Sequence, residues 1–349
     1  MKTIQKLLKF FEQQRVVAFI ILSLLFVLIL FPRFNRNDIP ILQPFVGLAP
    51  GELSLDQQNY YNFTEYFKGN IPLDAVSAPY SYRPMLPYIS SLLPFDSLLS
   101  ISIVSILSLI VSMFAIWLII RKMGLQSRYS MLSLFLFIVS FPLFYYGSGG
   151  YLEPFSNMFI YLIVLATLYK NNTSIILLFI LGATAKETTI IALPFVLLYG
   201  LVTQRDKGAT HHNTLIITII SFVGFIIANL IVRNQFGTSA DYVWTPALHT
   251  IMENLTRPKT YLSFILSFGL PGLFSYLLIF KLMKRKDTLT VKNLSPYFIG
   301  GLSAILMSLY SIVAAYADGR FVWTGYPFLI VLSAIYFKNL IEESNLKSV

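Results

Sequence analysis

Ten stretches of mostly apolar residues recur along the chain, and polar residues collect between them. Most approach the roughly 20 residues that a helix needs to cross about 30 Å of hydrocarbon. They cover approximately residues 16–31, 97–120, 130–146, 155–169, 174–185, 188–202, 215–232, 261–280, 296–316 and 321–337. The pattern predicts an all-α integral membrane protein of about ten transmembrane helices, with residues 1–349 forming a single transmembrane domain. The one long interruption is 32–96, far longer than an ordinary connection, and long structured loops tend to carry function.

The stretch from 174 to 202 reads either as one long helix interrupted by Lys186 and Glu187 or as two short arms meeting at that pair. Charge bias decides for the hairpin, because basic residues favour the cytoplasmic side. With the hairpin, 17 of the 26 basic residues fall on one side, including the cluster Lys281, Lys284, Arg285 and Lys286. Both termini are then cytoplasmic, and loop 32–96 and the Lys186–Glu187 tip face outward. The arms are about 12 to 15 residues, or roughly 18 to 22 Å, shorter than the hydrocarbon thickness. The tip therefore lies below the outer surface and is expected to line a water-filled recess.

Composition supports the membrane reading, with 56% hydrophobic and 12% charged residues where a soluble chain carries about a quarter charged. A soluble enzyme, a disordered protein and a disulfide scaffold are excluded. The net charge of +10 sits at the ends of apolar runs, so it reports topology and not a nucleic-acid partner. Without cysteine there is no disulfide and no thiolate ligand or nucleophile.

Candidate chemistry concentrates on the outer side. Ser54-Leu55-Asp56-Gln57 has the form of a capping box, predicting a helix from Leu55 to about Lys68 that Gly69 and Pro72 end. Asp56, Tyr60, Phe63 and Phe67 then share one face, an aromatic stripe suited to the membrane interface with a carboxylate in its first turn. Three prolines, Pro79, Pro84 and Pro87, surround Arg83, excluding regular helix and predicting a guanidinium on a stiff backbone, suited to a phosphate. Glu153 caps the outer end of the fourth stretch, and Asp318-Gly319-Arg320 forms the outer turn between the last two. Turn chemistry accounts for Asp318 and Gly319, whereas Arg320 is left over. Ionisable groups at membrane depth, here Lys186 and Glu187, are functional candidates, although they could simply pair with each other.

In layout this resembles the GT-C superfamily of polytopic membrane glycosyltransferases, in particular its uncharacterised bacterial branch. Leu55-Asp56-Gln57-Gln58-Asn59-Tyr60-Tyr61 is similar to an Asp-Gly-Gln-x-Tyr-Tyr form, with Gln57 where Gly is more frequent. Tyr82-Arg83-Pro84-Met85-Leu86-Pro87 resembles a Tyr-Arg-x-x-Leu-Pro segment, and Gly182 to Glu187 resembles a Gly-x-x-x-x-Lys-Glu hairpin tip. The resemblance implies transfer of a sugar from a polyprenyl-phosphate donor to a glycan, lipid or protein acceptor on the extracytoplasmic face, at a bacterial inner membrane. It implies Asp56 as catalytic base, with Asp38 as the alternative, and Arg83, Lys186 and Arg320 as ligands of the donor phosphate. Gln57, Tyr60, Tyr61, Tyr82, Glu153 and Glu187 are the expected substrate contacts. No cofactor and no metal ligand are expected, and a divalent metal stays open. The rival classes are a transporter or flippase of lipid-linked glycan and a glycan polymerase or ligase.

Overall fold

The computed structural model describes residues 10–30, 53–147, 150–205, 212–237 and 245–346. Among the described residues there are helices and turns and no strand. Four helices are long and apolar enough to cross a membrane: α4 (Ser97–Lys122), α10 (His212–Phe236), α12 (Pro258–Arg285) and α13 (Thr288–Ala314). Shorter apolar helices accompany them, namely α1 (Arg15–Leu30), α5 (Ser127–Ile138), α7 (Glu153–Leu168), α8 (Asn172–Ala185) and α9 (Leu193–Arg205). The last long helix, α15 (Tyr326–Leu346), is buried at every residue from 326 to 334 and forms the centre of the bundle. Around it, α10 packs on α8, α8 on α7, α7 on α4, α4 on α5, and both α5 and α12 on α15.

Polarity runs opposite to that of a soluble protein. On α10 the buried stripe includes Thr214, Thr218 and Ser221, while Leu215, Ile219, Val223 and Leu230 are exposed. On α4 the buried face carries Ser100, Ser105, Ser108 and Ser112, where Ser108 and Ser112 donate to carbonyls one turn back. Small hydroxyl residues let helix backbones approach when the outer solvent is apolar, so this arrangement fits a bilayer.

Several apolar stretches are broken where uniform helices were expected. The stretch 130–146 divides at Val139–Ser140 into α5 and α6 (Phe141–Tyr146), because Pro142 lacks an N–H and sits in the first turn of the new helix. Within α12, Gly269 adopts φ 44° two residues before Pro271, kinking the helix. The stretch 321–337 opens with the single turn α14 (Arg320–Trp323) before α15 begins.

The segment between α1 and α4, described from residue 53, packs against this bundle. Helix α2 (Leu55–Phe67) begins with the expected reciprocal cap: Ser54 N–H donates to Gln57 Oε1 at 2.9 Å, and Gln57 N–H to Ser54 Oγ at 3.4 Å. It ends as Gly69 turns left-handed at φ 79°. The aromatic stripe does not face a membrane surface. Tyr60 and Phe63 are fully buried, Tyr60 against Leu86, Ile101 and Phe155 and Phe63 against Phe67 and Phe236. Helical spacing is the same for an interfacial face and an inward one, so it could not separate them. The proline-rich segment likewise forms a 3₁₀ turn at Tyr80–Tyr82 and then a regular helix, α3 (Met85–Ser91). Pro84 is its N-cap and Pro87 lies in its first turn, where N–H groups have no helical partner to lose.

Candidate active site

Three separate parts of the chain meet at one cavity of about 710 Å³: the start of α2 with the 77–83 segment, the tip after α8, and the turn before α14. Each brings a charged side chain. Asp56, held in the first turn of α2 by the Ser54–Gln57 cap, lines the cavity, as do Arg83, Lys186 and Arg320. An aromatic wall of Phe141, Phe144, Tyr145, Tyr146 and Tyr151 faces them, with Leu262 and Leu266 of α12 alongside.

The tip is a sharp reversal. Lys186 is extended at φ −167°, and Thr189 Oγ1 donates to Gly182 O at 3.3 Å, a contact between residues seven apart that a straight helix forbids. A side chain at 182 would collide with Thr189, its Cβ coming within 2.5 Å of Thr189 Cγ2. Lys186 and Glu187 do not pair with each other. Lys186 Nζ bonds Glu153 Oε1 at the start of α7, both residues being buried, and Nζ lies 5.9 Å from the Phe321 ring centre. Glu187 receives both faces of the Arg83 fork, Nε at 3.0 Å and Nη2 on the other oxygen. The third Arg83 nitrogen, Nη1, donates to Tyr60 OH at 3.2 Å. Burial opposes the charge on Arg83, but Glu187 and Tyr60 outweigh it and hold the guanidinium firmly protonated.

At the opposite end, Arg320 bridges two carboxylates. Nη1 bonds Asp56 Oδ2 at 2.5 Å, and Nε donates to Asp318 at 2.8 to 3.0 Å. Asp56 Oδ1 accepts from Tyr80 OH at 2.9 Å. Burial raises the pKa of Asp318 despite the adjacent Arg320. The turn is fastened from outside by α11 (Leu248–Thr256): Asn254 donates to Ile312 O and Ala315 O at 2.9 and 2.7 Å and accepts from Ala317 N–H at 3.1 Å. Gly319 sits so tightly on α12 that an added Cβ would lie 2.4 Å from Ser263 O.

The cavity and its immediate supports thus unite Asp56, Arg83, Lys186, Arg320, Glu153 and Glu187. Of the other expected contacts, Gln57 serves the α2 cap and packs beneath Gly150, and Tyr60 stands behind Tyr80. Tyr61 and Tyr82 are not among the residues lining the cavity, Tyr82 lying beneath Arg233 with 4.9 Å between guanidinium carbon and ring centre. Asp38 lies outside the described residues. Sequence reasoning passed over Tyr80, Asp318, Lys259 and the aromatic wall, all of which line the cavity. Only the helical spacing of Phe141, Phe144 and Tyr145 beside Pro142 hinted at that wall. Among the described residues, no group of three or more His, Asp and Glu side chains is disposed to hold a metal ion.

No protein-family model matches the chain, and no curated protein matches it.

Chemically, three of the cavity's cations are already held by carboxylates: Arg83 by Glu187, Lys186 by Glu153, and Arg320 by Asp56 and Asp318. An anion can enter this set by taking a carboxylate's place on its cation; the Asp56 carboxylate, displaced from Arg320, would keep the Tyr80 hydroxyl as a partner.

Proposed function

We propose that the protein is a membrane glycosyltransferase of GT-C type, spanning the bilayer about ten times with both termini cytoplasmic. The observation that carries this reading is the convergence of Arg83, Lys186 and Arg320 with Asp56 on one cavity walled by aromatic and aliphatic side chains. A polyprenyl-phosphate sugar enters laterally, its phosphate meeting the cations. The acceptor hydroxyl oxygen attacks the anomeric carbon while the bond from that carbon to the phosphate oxygen breaks. The phosphate leaves with the bonding electrons, Asp56 takes the hydroxyl proton, and the anomeric configuration inverts. Cations on the departing phosphate stabilise the charge that develops there.

The contact between Arg320 and Asp56 adds an order of events. Arg320 cannot give its Nη1 hydrogen bond to Asp56 and to a phosphate at once. Donor binding that draws Arg320 away leaves Asp56 Oδ2 open to the acceptor. The base is thus fully competent only when the donor is present.

The test is incubation of purified protein in nanodiscs with a panel of labelled polyprenyl-phosphate sugars and candidate acceptors. Transfer with inverted anomeric configuration is the expected result. Translocation of the lipid-linked sugar across the bilayer with no transfer would assign the cavity to a flippase.

A further inference from the structure

We propose that Tyr80 is a positioning residue for the Asp56 carboxylate, an inference that rests on the glycosyltransferase reading. The two oxygens of Asp56 have different partners. Oδ2 is bonded to Arg320, while Oδ1 accepts the Tyr80 hydroxyl at 2.9 Å. Tyr80 has little freedom to move. Its ring stands edge-on to that of Tyr60, with 5.4 Å between centres and planes at 82°, and Tyr60 is 1% exposed with its hydroxyl bonded to Arg83. When Arg320 turns to the donor phosphate, Asp56 keeps this single anchor. Oδ1 stays pinned and the lone pairs of Oδ2 point into the cavity.

Burial and the Asp56 charge push the Tyr80 phenol to a higher pKa, so it remains a proton donor throughout the working range. The charged and titratable groups around Asp56 are Arg320, Tyr80 and Tyr60, with Asp318 acting through its shared hold on Arg320. Among them Tyr80 gives Asp56 a neutral hydrogen bond whose strength does not depend on whether donor is bound.

The variant Tyr80→Phe keeps the ring contact with Tyr60 and removes only the hydroxyl. A hydrogen bond to a charged group contributes enough for its loss to cost roughly ten- to a hundredfold in turnover, with the donor KM little changed. The lost hydrogen bond is readable without turnover, as a shift of the Asp56 carboxylate stretching band in the infrared spectrum, assigned by its absence in Asp56→Asn. An unshifted band in Tyr80→Phe, or wild-type turnover in a preparation where Asp56→Asn is inactive, overturns the assignment of Tyr80 alone. A shifted infrared band in a protein that transfers no sugar supports the anchor and overturns the glycosyltransferase reading, and with it the catalytic meaning of the anchor.

Discussion

Replacing Lys186 by Met removes a charge while nearly preserving side-chain length, and it strands Glu153, which is 1% exposed at the start of α7. Removing one member of a buried ion pair costs about 3 to 5 kcal/mol. An independent bound comes from proton uptake: a carboxyl of ordinary acidity takes a proton at pH 7 at a cost of about 4 kcal/mol, and this route caps the penalty. Lys186→Met should therefore lose about 3 to 4 kcal/mol. The deficit should shrink by about 1.4 kcal/mol per unit as pH falls from 7 to 5, because the variant folds with the proton bound while its unfolded chain does not. Adding Glu153→Gln removes the stranded charge, so the double variant should recover most of the loss. The assay is reversible unfolding in mixed detergent and dodecyl sulfate, followed by tryptophan fluorescence. If Lys186→Met costs under about 1 kcal/mol, or the double variant costs the sum of the singles, the two side chains do not form a buried coupled pair and the tip is not held as described.

Asp56→Asn should lower sugar transfer by at least about a hundredfold and cost about 1 to 3 kcal/mol of stability, because Arg320 loses one of its two carboxylate partners. Unchanged turnover, with loss in Asp38→Asn, would move the base to Asp38. Gly319→Ala should destabilise by about 1 to 3 kcal/mol and lower turnover, since its methyl would lie 2.4 Å from Ser263 O and must displace the turn that carries Asp318 and Arg320. Wild-type stability and turnover in that variant would mean the turn has room the structure does not show. Cysteine placed at 186 should react with a small impermeant thiol reagent outside intact cells and cysteine at 284 should not, on a chain with no native cysteine. Labelling at 284 from outside would reverse the topology.

What was legible in the sequence was local. The Ser54–Gln57 cap and the end of α2 at Gly69 each depend on residues within a few positions of one another, and both are in the structure; the break at Lys186–Glu187, which took the charge bias of the whole chain to decide, is there too. The partners of the charged groups were not legible. Glu153 lies 33 residues from Lys186, Glu187 lies 104 from Arg83, and Asp56 lies 264 from Arg320. Each side chain was identifiable as a charge needing compensation, but the choice of partner is made by helix packing that no local pattern encodes. Asn254 is the clearest omission: an ordinary polar residue on a short amphipathic helix, it fixes the 312–317 segment through three backbone hydrogen bonds. The face of α2 was misread for a related reason. Periodicity specifies which residues share a side, and only the packing of α10 and α3 beside it determines that the side is buried.

In the proposed reaction the paired cations of this cavity hold the phosphate of a lipid-linked donor. This is tested most directly by comparing the affinity of purified protein for a short polyprenyl phosphate with that for the matching prenol, which has the same tail and no charge. Loss of one charge-assisted hydrogen bond corresponds to roughly a ten- to hundredfold change in affinity, so the phosphate should bind at least that much more tightly. The preference should fall in Arg83→Lys, which lacks the two-pronged fork, and collapse in Arg83→Ala. Equal affinity for phosphate and prenol, or a preference untouched by Arg83→Ala, would contradict the account.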